Sequence, residues 1–142
     1  MRKRIALALL CLVIGVAAQA QRVVYNVIAQ VPFDARTQQY GKMVPKDMRI
    51  IKRGDETIYI GAEKYDVVEV VDRKDDINTR YVQYTAIDAN DTEVTIKVCH
   101  DGTAEHAAMR DYVLIFDNAH IYDWTYYLSL IHISEPTRLA LI

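Results

Sequence analysis

Cys99 and His100 are adjacent, and an imidazole beside a thiol can take its proton and leave a nucleophilic thiolate. Neighbouring residues of a strand point to opposite faces, however, so the two side chains diverge and Cys99 reads as a strand cysteine. His100, His106 and His120, with Asp101 or Glu105, are residue types that ligate metals. No Cys-x-x-Cys or His-Glu-x-x-His spacing holds them together, and they read as surface histidines. Asp66, Asp88 and Asp117 are candidates for paired-carboxylate hydrolysis, in which one acid protonates the leaving group and its partner assists attack. Asp75-Asp76 and Asp88, Asn90, Asp91 suit a weak calcium site by type but lack EF-hand spacing; they read as turn formers. Serine chemistry has no candidate before residue 128, because the chain's only serines are Ser129 and Ser134. No dinucleotide-binding or phosphate-cradling glycine run is present, so no cofactor is expected.

Aromatic residues offer a second kind of chemistry. The chain has ten tyrosines, one tryptophan and only two phenylalanines. Tyrosine suits a strand whose ring packs at one end and meets water at the other. Tyr122, Trp124 and Tyr126 alternate and so share a face, which reads first as core and second as a ligand platform. If the sheet closes into a barrel, Tyr81, Tyr84, Tyr122, Trp124 and Tyr126 are expected to line an interior that holds a small ligand.

These residues need strands to position them. The clearest pair is Arg80–Ile87 and Thr92–Cys99 about Asp88-Ala89-Asn90-Asp91, where Val94, Ile96 and Val98 alternate with Glu93, Thr95 and Lys97. Further strands are expected at Arg22–Val31, ending at Pro32, and at Asp47–Arg53 and Glu56–Ile60 around Gly54-Asp55. Phe33–Pro45, with turn formers and the Tyr40-Gly41 pair, is expected to be irregular or a weak strand. Tyr65–Asp72 follows, with Val67, Val68, Val70 and Val71 suggesting cover on both faces, and Arg73–Asp76 reads as a solvated loop. Ala104–Arg110 suits one helical turn, and Asp111–Asp117 and His120–Tyr127 are the last strands. The expected fold is all-β, an antiparallel meander of seven or eight short strands, as a small barrel or a sandwich. Two tripeptides are discounted: Arg53-Gly54-Asp55 matches a cell-adhesion motif but reads as a hairpin turn, and Asn90-Asp91-Thr92 is a glycosylation acceptor only in a eukaryotic secretory pathway.

Arg2, Lys3 and Arg4, an apolar run from Ile5 to Ala17, and Ala18-Gln19-Ala20 form a signal peptide cleaved before Gln21. The run is too short to remain as a membrane anchor, and bulky Leu10 before Cys11 argues against lipidation. Cleavage leaves Cys99 as the single thiol, so no internal disulfide is expected. The chain carries a formal charge of −2, and losing the basic leader makes it more acidic. It has no basic stripe for a phosphate backbone, so nucleic acid is not an expected partner.

Leu128-Ser129-Leu130-Ile131-His132-Ile133-Ser134-Glu135-Pro136-Thr137-Arg138 resembles the conceptual translation of a transposase-type sequencing adapter. Residues 128–142 are therefore expected to be a non-native tail, with 21–127 a single domain whose own C-terminus is missing. Tyr40-Gly41, Arg49-Ile50-Ile51 with Thr57-Ile58-Tyr59-Ile60, Ala86-Ile87-Asp88 with Thr95-Ile96-Lys97-Val98, and Ile115-Phe116-Asp117-Asn118 with Tyr122 resemble small exported β-domains of Bacteroidota-type bacteria. That resemblance, over residues 38–126, implies a fold and a periplasmic or extracellular location, and no catalytic residue. The expected function is a non-enzymatic module that binds a small ligand or an envelope protein. The alternatives are a small secreted hydrolase using the acids named above and a structural module that pairs strand edges.

Overall fold

The computed structural model describes residues 22–134, apart from the side chains of 108 and 131–134. The expected signal peptide and residues 135–142 of the expected tail lie outside the described residues. The chain forms nine strands, β1 (Arg22–Asp34), β2 (Gln39–Tyr40), β3 (Val44–Arg53), β4 (Thr57–Ile60), β5 (Glu63–Asp75), β6 (Thr79–Ile87), β7 (Glu93–Asp101), β8 (Asp111–Asp117) and β9 (Asp123–Ser134), with one short 3₁₀ turn at Ala107–Met109. Every neighbouring pair is antiparallel, and β1 also pairs with β9, so all strands but β2 close an eight-stranded barrel. The tiny β2 continues the line of β3 along the far end of β1, pairing Phe33 with Tyr40.

Turn chemistry sets the meander. Gly54 has φ +53° in the β3–β4 turn, a left-handed conformation that suits a residue without Cβ. In the β6–β7 turn the Asp88 carboxylate accepts the N–H groups of Asn90 (2.8 Å) and Thr92 (2.9 Å), and Asp91 takes φ +60° where glycine is commoner. The strands from β6 through β9 then pair in unbroken register, from Ile87 opposite Glu93 to Asp111 opposite Ser129.

An eight-stranded barrel is just wide enough for side chains to fill it. Tyr84, Ile50, Ile58, Ile96, Val113 and Ser129 are fully buried. Tyr25, Val27, Ile60, Ala86, Val94 and Val98 pack around them. Burial of large apolar side chains at about 1.5–3 kcal/mol each is the main force opposing chain entropy.

Several expected boundaries move. β1 runs through Pro32 to Asp34, so Phe33–Pro45, read as irregular or a weak strand, holds the end of β1, a turn, the two-residue β2 and the start of β3. β5 absorbs Arg73–Asp75, which were expected in a loop, because they pair with Arg80–Val82. β9 begins at Asp123 and pairs to Ser134 opposite Arg22, so it includes described residues of the expected tail. The double valines of β5 do not mark cover on both faces: Val68, Val70 and Val71 are exposed. Register breaks between Val67 and Glu69 and between Val70 and Asp72, making Val68 and Val71 bulge residues that each shift the strand's phase. Ile28 is a third, in β1 against β9, whereas against β3 the extra residue falls in β3 between Pro45 and Met48. Bulges bend a strand, and these three bend two staves of the barrel wall.

Candidate functional site

One end of the barrel is not filled by apolar side chains. Pairing places Lys52 beside Val23 and Ile58, and sets His100 opposite Asp111. Lys52, His100 and Asp111 fall on the inward phase, above Tyr25 and Val98. With Arg73 and Arg80 from the long β5–β6 pair they surround an open cavity of about 320 Å³. Four cationic side chains, Lys52, Arg73, Lys74 and Arg80, line it against the carboxylates of Asp75 and Asp111.

Lys52 is the unusual group. Its side chain is only 17% exposed, and its ammonium lies 3.9 Å from Asp55. That carboxylate has shorter partners, accepting from the Tyr84 hydroxyl at 2.5 Å and from Arg73 at 2.9 Å. Burial lowers the Lys52 pKa; the charge of Asp55 opposes this and that of Arg73 adds to it. For Asp55, burial pushes the pKa up, but the Tyr84 hydrogen bond and then the charges of Lys52 and Arg73 outweigh it, leaving the carboxyl below its usual range. Tyr84 is driven upward by burial and by its bond to Asp55. Across the mouth, His100 Nδ1 meets Asp111 Oδ1 at 2.7 Å, the imidazole partly open and the carboxylate nearly buried. Burial, then the negative charge of Asp111, raises Tyr25.

The five aromatic residues expected to line one interior are divided by the closed sheet. Tyr84 alone points into the core. Tyr81 faces outward at the lip of the mouth, beneath Lys97 at 4.1 Å, its hydroxyl donating to Asp72. Tyr122 stands in the turn before β9 with Arg36 over its ring. Trp124 and Tyr126 lie on the outer wall. There they join Phe33, Tyr40, Tyr112 and Phe116 in a continuous aromatic layer, with ring centroids 4.6–6.3 Å apart. Alternation separates Tyr81 from Tyr84, whereas which face of β9 lies inside is set only by closure of the barrel.

The other candidates also have definite places. Cys99 turns outward against Tyr112 while His100 turns inward, and burial raises the thiol to about 11, so it is a poor nucleophile at neutral pH. Asp88 and Asp117 accept backbone N–H groups of their own turns, and Asp66 sits exposed near Lys64. His120 lies 3.8 Å from Asp117, and His106 is exposed. Among the described residues no three of His, Cys, Asp and Glu gather as a metal site.

Sequence reasoning passed over Lys52, Asp55, Arg73 and Asp111. Asp55 looked like a turn residue, and it is one; its side chain nevertheless reaches back to the mouth. Comparison with protein-family models, with curated proteins and with solved structures found no match.

Proposed function

We propose that the protein is an exported, non-enzymatic binding domain that holds a small organic anion in the mouth of its barrel, with Lys52 as the anchor. The observation that carries this reading is a largely buried lysine side chain at an open cavity, whose nearest carboxylate is already held by two closer donors. A ligand carboxylate or sulfonate would complete its charge pairing, and the surrounding arginines would attract it from solution. The well-packed core below confines the ligand to the mouth. A periplasmic or extracellular setting follows from the signal peptide. The hydrolase alternative has less support, since Asp88 and Asp117 are committed to turns.

The test uses 8-anilinonaphthalene-1-sulfonate, an aromatic sulfonate whose emission reports binding. Saturable one-to-one binding is expected at low salt, weakened about tenfold by Lys52→Met, which keeps the stem and removes the charge. Salt should weaken binding to the wild type more than to the variant. Equal affinity in the two proteins refutes the assignment.

A further inference from the structure

The outer aromatic wall is separate from the mouth and carries its own reading. We infer that it is a binding surface for a neutral oligosaccharide, laid across Tyr40 with its sugar faces on the rings. Large side chains on a barrel's outer face ordinarily meet water, and here six rings form one layer there. Two grooves flank Tyr40-Gly41, each of about 480 Å³. Phe33, Trp124, Asp34, Thr37, Gln39 and Asp123 line one. Tyr112, Tyr126, Met43, Met109 and Asp101 help line the other.

This combination selects a chemistry. A pyranose has an apolar C–H face that lies flat on an aromatic ring and an edge of hydroxyls that seek carboxylate, carboxamide and hydroxyl partners. Both kinds of group line the first groove together. No lysine or arginine lines either groove, and three aspartates do, so a polyanion would meet repulsion without compensation. Stacked bases of a nucleic acid are disfavoured for the same reason, although rings alone would accept them. Grooves on both sides of one ring suit a chain of sugars better than a single one.

The surface is also held in shape before any ligand arrives. Tyr40 is 64% exposed although its ring lies against those of Phe33 and Tyr126. Its backbone is pinned where Gly41 N–H donates to the Pro32 carbonyl at 2.8 Å. A Cβ at Gly41 would come within 2.5 Å of Pro32 Cγ, so only glycine permits this approach. The aromatic-glycine pair prominent in the sequence thus fixes a projecting ring. Trp124 is oriented too, its indole N–H donating to the Ile121 carbonyl at 2.8 Å. Preorganisation of this kind reduces the entropy lost on binding.

Trp124 is the only tryptophan, so its emission reports this wall directly. The experiment titrates the mature protein with cellohexaose, maltohexaose and the N-acetylated chitin hexamer, each to about 1 mM, the range of weak binding. At least one is expected to shift the emission saturably. Tyr40→Ala should weaken that binding about tenfold and lower the thermal midpoint only modestly, because the ring contacts Phe33 and Tyr126 but is otherwise in solvent. Lys52→Met should leave it unaffected, which separates this surface from the mouth. No spectral response to any of the three, or unaltered affinity in Tyr40→Ala, overturns the inference. Preferential binding of a single-stranded oligonucleotide would overturn it as well.

Discussion

Replacing Tyr84 by phenylalanine removes one oxygen from a ring with no solvent exposure and takes from Asp55 its closest donor. A hydrogen bond to a charged group contributes about 1.5–3 kcal/mol. The Asp55 side chain is 46% exposed, so water replaces part of the lost bond and the lower end applies, about 1.5 kcal/mol at pH 7. The pH dependence has a definite sign. Asp55 is depressed in the folded state, so its contribution is complete above the ordinary carboxyl value of 3.8 and fades as pH falls through the lower folded value. Once Asp55 is protonated the pair is neutral, and the cost of Tyr84→Phe should fall to about 0.5–1 kcal/mol. Urea unfolding of the wild type, Tyr84→Phe, Asp55→Asn and the double variant measures this, with the slope of each transition checking two-state behaviour. Coupling between the two sites should be about 1 kcal/mol at neutral pH and smaller in acid. A cost below about 0.5 kcal/mol at pH 7, or one that does not change with acidification, refutes the account of Asp55 as a charged acceptor holding the mouth.

Other consequences follow from the core, the turns and the seam. Ile96→Ala should destabilise by about 2–5 kcal/mol, since Ile96 is fully buried in the central layer, and chemical denaturation will show it. Asp91→Gly should raise stability by about 0.5 kcal/mol by relieving a left-handed backbone, offset in part by the greater freedom of glycine in the unfolded chain; the thermal midpoint checks it. The Cys99 thiol should react slowly with a disulfide reagent at pH 8, and Tyr112→Ala should speed the reaction by uncovering it. A chain ending at Tyr127 should lose the pairing of Arg22–Ala29 with β9 and associate through the bared edge, as size-exclusion chromatography will reveal. An independently cloned genomic copy that encodes residues 128–142 would refute their adapter origin.

The hairpin of β6 and β7 was legible because Val94, Ile96 and Val98 of β7 alternate with Glu93, Thr95 and Lys97 and Asp88 marks the turn. β5 was misread for an equally local reason. Each bulge inserts one residue and reverses the phase, so Val67-Val68 and Val70-Val71 look two-faced when each pair includes one extra, exposed valine. Tyr81 and Tyr84 are three apart and must face opposite sides of a strand, so their expected shared interior conflicted with alternation itself. Trp124 and Tyr126 do share a face, but which face is inside depends on closure, a long-range property. The charged mouth was hidden for a related reason: Lys52, Asp55, Arg73 and Asp111 come from separate strands and turns, and only the curvature of the barrel brings them near one another.

The pairing of β1 with β9 makes the two most distant parts of the described chain immediate neighbours, Arg22 opposite Ser134. Every other wall contact joins strands close in sequence and can form as a local hairpin. Among the described residues, closing the ring requires the largest loop, so this pairing carries the greatest closure entropy. Until that final strand is present, β1 has no partner on this side and the ring stays open. The architecture that gives the finished barrel its closed wall also sets the moment at which the chain commits to being folded.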